Sequence, residues 1–91
     1  MSLTDELDRL RGLIDEVDRG IMEMLELRVK LARAVGLIKM ILGRPLRDGE
    51  RERVVLEKVR EMASERGLNP SHVEMVFKAI MEMCLEAQRG E

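Results

Sequence analysis

Ninety-one residues with a formal charge of −2 and 37% charged side chains make a single domain whose core is at the small end of what folds alone, so reinforcement by self-association is expected. One cysteine, Cys84, and one histidine, His72, exclude an intrachain disulfide and offer no transition-metal cluster. The balanced charge gives no global attraction to nucleic acid or anionic lipid, and Phe77, the sole aromatic residue, provides no stacking platform.

The chain opens on "MSLTDELDRLRGLID", acidic and basic by turns. Without a continuous apolar run it reads as neither a secretory signal nor a membrane span, and cytoplasmic residence is expected. Steps of four and three from Leu3 trace a stripe through Leu7, Leu10, Ile14, Val17, Ile21, Met24, Arg28, Leu31, Val35, Ile38 and Leu42, apolar everywhere except at Arg28. This predicts one amphipathic helix from about Thr4, a candidate N-cap, to about Leu42, ending at Gly43-Arg44-Pro45. Its length is roughly 38 residues, or about 57 Å.

A second helix is predicted from an Asp48 cap, with Val55, Leu56, Val59, Met62 and Ala63 apolar, to Gly67. A third starts at Asn69-Pro70, cap then N1 proline, and runs to about Arg89. The fold class is therefore all-α, three helices in one domain spanning residues 1–91, with a very long N-terminal helix. A compact monomer of this size has a diameter of only about 30 Å, and two shorter helices of roughly 27 Å each leave much of the first uncovered. An intertwined homodimer of the long helices is expected, with Gly12, Gly20 and Gly36 either permitting close helix contact or merely weakening the helix.

Polar residues on apolar faces mark a candidate site. Arg28 and Lys39 are eleven residues apart, within 20° of three full turns and about 16 Å along the axis, with Ala32 and Val35 between them. Together they frame a slot for a small carboxylate. Separately, Arg28 snorkelling at a seam and Lys39 answering the helix dipole are ordinary roles. Arg11 is about 25 Å away and out of phase, so it reaches such a slot only from a second chain. At the start of the second helix, Asp48, Arg51 and Glu52 read either as an anion- and hydroxyl-binding turn or as a cap with surface ion pairs to Arg47 or Arg53. On the third helix Phe77, Met81, Cys84 and Gln88 share one face, where Gln88 is either a working amide or a polar residue at a fraying end.

With these residues assembled, from "LDRLRGLIDEVD" through Arg28, Leu31-Ala32, Val35-Gly36 and Lys39 to "RPLRDGERE" and "CLEAQ", the chain resembles the all-helical class of chorismate mutases over essentially its whole length. The resemblance implies a six-helix intertwined dimer with two active sites. It implies that Arg28, and Arg11 from the other chain, hold the two carboxylates of chorismate, and that Lys39 and Gln88 donate to the ether oxygen of the breaking C–O bond. Glu52 and the Asp48 backbone would bind the ring hydroxyl, Arg51 would shape the electrostatic environment, and Val35, Val55 and Met81 would form walls. Cys84 stands where the family pattern often has a small polar residue, and Leu27 where an acidic one can precede the arginine. Chorismate to prephenate is an intramolecular [3,3] rearrangement, so no cofactor or metal is expected. Two other readings share the pattern: isochorismate pyruvate lyase on the same scaffold, and a catalytically silent helical dimerisation or regulatory module.

Overall fold

The computed structural model describes residues 2–90. They form three helices: α1 (Leu3–Leu42), α2 (Gly49–Glu65) and α3 (Pro70–Gln88). α1 begins earlier than the Thr4 cap expected from the sequence. Ser2 caps it instead: its hydroxyl accepts from the Asp5 N–H at 3.1 Å, and the Asp5 carboxylate accepts from the Ser2 N–H at 3.3 Å. This reciprocal box satisfies two backbone donors at once, which a threonine inside the first turn does not do. α1 stops where Gly43 takes φ 68°, a left-handed conformation that a residue without Cβ adopts freely. Asp48 caps α2 by accepting from the Arg51 N–H at 3.0 Å, and Asn69 caps α3 by accepting from the His72 N–H at 3.1 Å.

α3 is the central element. It packs against both α1 and α2, whereas α1 and α2 make no close backbone approach to each other. The contacts Arg28–Cys84 and Gly36–Gln88 advance together along α1 and α3, so these helices run in the same sense. Arg47, just ahead of α2, bonds Glu82, and Arg60 farther along α2 bonds Glu74, so α2 runs against α3. The space left between α1 and α2, floored by α3, becomes the site.

The least exposed face of this part of α1 lies beside its apolar stripe and shares only Arg28 with it. It consists of Leu25, Arg28, Val29, Ala32, Gly36 and Lys39, of which only Ala32 and Gly36 are buried, and Arg28, Gly36 and Lys39 meet α3. A Cβ placed on Gly36 would lie 3.0 Å from Cβ and Cγ of Gln88, so the missing side chain is what lets α3 approach. Gly36 therefore serves a contact within the chain, and Gly12 and Gly20 meet nothing within 4 Å there. Val59 and Ala63 of α2 and Cys84, Leu85 and Ala87 of α3 complete the buried set, while Met62 is nearly half exposed rather than in the core.

The stripe itself stays largely in solvent: Ile14 is 58% exposed, Val17 62% and Leu31 59%. Among the described residues, none of α1 before Ala32 is buried. The molecule measures 61 × 27 × 15 Å with a radius of gyration of 17.2 Å, against about 12 Å for a compact domain of this length. So long an exposed apolar surface is the mark of an interaction face. No helix among the described residues is long and apolar enough to cross a membrane.

Candidate active site

A cavity of about 460 Å³ occupies the gap between α1 and α2. α1 contributes Arg28, Leu31, Ala32, Val35 and Lys39; the connection and α2 contribute Leu46, Arg47, Asp48, Arg51, Glu52 and Val55; α3 contributes Met81, Cys84, Leu85 and Gln88. Thus every residue to which the resemblance gave a place at the site lines one cavity except Arg11, which is exposed on the distant half of α1. Phe77, on the same α3 face as Met81, Cys84 and Gln88, lies outside the lining.

The helical phase explains the convergence. Arg28, Ala32, Val35 and Lys39 project from one side of α1, so two cations stand at either end of a short floor of small and apolar groups. α3, running in the same sense, places Cys84 opposite Arg28 and Gln88 opposite Lys39. The Arg28 Nη1 donates to Cys84 Sγ at 3.0 Å, and Lys39 Nζ donates to the Leu46 carbonyl at 2.6 Å and towards Gln88 Oε1 at 3.4 Å.

Two carbonyl oxygens thereby aim the Lys39 ammonium, which has three donors, and leave donor capacity for a ligand. The same contact orients Gln88: with its amide oxygen turned to the ammonium, its NH2 group remains as a donor. Cys84 is buried and free, and its sulfur is a weak acceptor that orients the guanidinium without neutralising it.

Four cationic side chains, Arg28, Lys39, Arg47 and Arg51, face two carboxylates, Asp48 and Glu52, in this lining. A chain with a net charge of −2 has gathered a local excess of positive charge. Asp48 is engaged as the α2 cap. Glu52 accepts from Arg47 Nη1 at 3.0 Å, and Arg47 Nη2 also binds Glu82 at 2.8 Å. Glu82 foremost, then Glu52, holds the Arg47 guanidinium above its ordinary range. The α2 turn is thus capped and ion-paired, and the same residues line the cavity.

Sequence reasoning missed the inward position of Arg47, Leu46 and Leu85. Leu46 and Arg47 lie in a connection with no helical phase, so periodicity assigns them no direction. Leu85 lies four residues after Met81 and three before Gln88, and that spacing would have found it.

A second groove, lined by Leu31, Ala34, Val35, Ile38, Leu42 and the turn at Pro45, adjoins the cavity and shares Leu31, Val35, Lys39, Arg47 and Asp48 with it. It follows the C-terminal part of the exposed stripe, so the site opens onto the uncovered apolar face of α1.

Known proteins resemble the chain over nearly its whole length. The family model described as chorismate mutase type II matches residues 10–89. The chorismate mutase of Methanocaldococcus jannaschii is 30% identical over 80 residues, covering 88% of this chain and 81% of that protein. The bifunctional chorismate mutase/prephenate dehydratase of Buchnera aphidicola is 29% identical over 98% of this chain, which spans only 23% of that longer protein. A conserved hypothetical protein from Pyrococcus furiosus has a solved structure that superposes with a TM-score of 0.70 at 33% identity, covering 90% of this chain and 93% of that one. With the match extending over nearly the whole chain and the solved structure sharing its three-helix arrangement, the chain belongs to the type II chorismate mutase family.

Proposed function

We propose that this chain catalyses the rearrangement of chorismate to prephenate in the cytoplasm, a step towards phenylalanine and tyrosine, as a homodimer whose two sites are each completed by Arg11 of the other protomer. The observation that carries the reading is the pairing of Lys39 with Gln88 opposite Arg28 in one cation-rich cavity. Arg28 grips one carboxylate and the second protomer's Arg11 the other, because a planar guanidinium meets a carboxylate with two parallel bonds and so fixes its orientation. The ring hydroxyl is bound by Glu52 and the Asp48 backbone, Arg51 adds to the positive field, and Val35, Val55 and Met81 press the substrate into its compact conformer.

The reaction breaks a C–O bond and forms a C–C bond within one molecule. No proton is removed and no nucleophile attacks, so the protein acts by restricting conformation and by stabilising charge on the ether oxygen as the C–O bond lengthens. Lys39 and Gln88 donate to that oxygen, where charge is greater in the transition state than in the ground state, so their effect falls on kcat.

Dimerisation follows from the same apolar stripe that runs past the site. A second α1 laid along the exposed face buries side chains such as Ile14, Val17 and Leu31, each contributing roughly 1.5–3 kcal/mol when fully buried. It also brings an N-terminal half, with Arg11, to the groove that adjoins the cavity.

The direct test is incubation of the purified chain with chorismate and, separately, isochorismate. Prephenate from the first is expected. Release of pyruvate from isochorismate with no prephenate from chorismate would overturn the assignment.

A pH profile tests the role of Gln88. As a neutral amide, Gln88 donates at every pH, so wild-type activity should be nearly flat around neutrality. In Gln88→Glu the carboxyl group donates only when protonated, below about pH 4.3 for an unperturbed glutamate. Above that it presents a negative charge to the ether oxygen, and the neighbouring Lys39 ammonium extends this ionised form to still lower pH. Activity of the variant should therefore rise as the solution is acidified; a flat profile would remove Gln88 from the ether-oxygen role.

A further inference from the structure

Arg47 belongs to neither of the carboxylate-gripping positions nor to the Lys39–Gln88 pair, yet it lines the cavity. Its guanidinium joins two carboxylates on different helices: Glu52 on the first turn of α2 at 3.0 Å, and Glu82 on α3 at 2.8 Å. Glu82 does not line the cavity. The guanidinium therefore stands between a carboxylate inside the site and an anchor outside it.

Glu52 poses an electrostatic difficulty for a cavity that receives a dianion, because a carboxylate in the lining repels it unless its charge is offset. A bound guanidinium supplies that offset. It also occupies one oxygen of Glu52, so the other remains to accept from a ligand hydroxyl. The planar fork of arginine engages two carboxylates at once, which a lysine ammonium does with far less directional definition.

We propose that Arg47, anchored by Glu82, is a positioning residue for Glu52: it selects the carboxylate oxygen presented to the substrate's ring hydroxyl and shields the incoming dianion from the Glu52 charge. The inference rests on the reading of this cavity as the chorismate site. It separates cleanly from a structural role. Arg47 and Glu82 are 48% and 53% exposed, and ion pairs of such exposure contribute little to stability. Losing the clamp should therefore leave the fold nearly as stable while weakening substrate binding, an effect on KM because the hydroxyl is held equally in the ground and transition states.

The test compares wild type, Arg47→Gln, Glu52→Gln, the double variant and Glu82→Gln as full chains, reading KM and kcat for prephenate formation together with the melting temperature. Arg47→Gln should raise KM about tenfold with kcat within about twofold. The double variant should be no worse than about the poorer single one, since both changes act through one carboxylate. Glu82→Gln should raise KM about threefold, as it loosens the anchor while leaving Arg47 on Glu52. An unchanged KM in Arg47→Gln, or effects of Arg47→Gln and Glu52→Gln that multiply in kcat/KM, would overturn the inference in an active enzyme. Should Arg47→Gln fail to fold by circular dichroism, the cycle of Glu82→Gln with Glu52→Gln decides in the same way, with multiplying effects overturning it. A wild-type chain that makes no prephenate fails before any variant is compared, and removes the functional reading and the inference together.

Discussion

Lys39→Ala is expected to lower kcat for prephenate formation by about 10²–10³-fold, the loss of roughly 3–4 kcal/mol of transition-state stabilisation that follows removal of one preorganised donor to a developing oxyanion. The ammonium is held by the Leu46 carbonyl and faces Gln88, so it is aimed before any ligand arrives and spends no binding energy on reorientation. KM should change much less than kcat, because the ether oxygen carries little charge until the bond lengthens. The variant also removes the cation that turns the Gln88 oxygen, so part of the loss reflects a misdirected amide. Steady-state kinetics on the folded variant check this. A fall of less than about tenfold would show that Lys39 does not act on the reacting oxygen. A protein serving only as a helical dimerisation module would have no such activity to lose.

Mixing two inactive variants, Arg11→Ala and Lys39→Ala, is expected to restore activity. If each site takes Lys39 from one protomer and Arg11 from the other, a mixed dimer contains one site with both residues intact and one with neither. Random exchange makes half the dimers mixed, each with one working site of two, so about a quarter of wild-type activity should return. Co-expression, or partial unfolding and refolding of the mixture, provides the exchange, and native mass spectrometry verifies it. Absence of rescue in a sample shown to contain mixed dimers would place each site within a single chain and would leave Arg11 as a surface residue. Neither single variant should regain activity when mixed with itself, which excludes reassembly alone as the cause.

These two experiments probe different physical links. The first examines charge stabilisation inside one chain, where Arg28, Lys39, Cys84 and Gln88 already converge. The second examines the completion of the site by a second copy, for which the single chain supplies an exposed apolar stripe, an adjoining groove and a distant arginine. The chain spans only 23% of the bifunctional protein of Buchnera aphidicola that it matches. The site described here is contained in the matched region.

Much of the architecture was legible in the residues. A three-four apolar repeat, stopped by Gly43 and Pro45, marks α1 to within a residue at its C-terminal end. Asp48, Asn69 and Pro70 announce the starts of α2 and α3, because short polar side chains and an N1 proline satisfy or dispense with orphan backbone donors. The start of α1 was misplaced by two residues, since the Ser2–Asp5 box departs from the usual glutamate at the N3 position. Helical phase also put Arg28 and Lys39 on one side of α1, and Met81, Cys84 and Gln88 on one side of α3.

Phase within a helix says nothing about which face meets which neighbour. Hydrophobic periodicity favoured the leucine- and isoleucine-rich stripe, but α3 seats itself beside that stripe on Ala32 and Gly36, small residues with a weak apolar signal and strong steric consequences. Nor does phase extend through the Gly43–Asp48 connection, where the chain folds back to bring the Leu46 carbonyl to Lys39 and Arg47 to Glu52 and Glu82. The sequence by itself determined three helices, their ends to within about two residues, and a long apolar surface too large for one chain to cover, because these depend on local capping and on the distribution of side chains around a helix. Only the tertiary structure decided that α3 lies between α1 and α2, that their separation leaves a cation-rich cavity, and that Arg47 bridges two carboxylates at that cavity, because each depends on contacts between residues far apart along the chain.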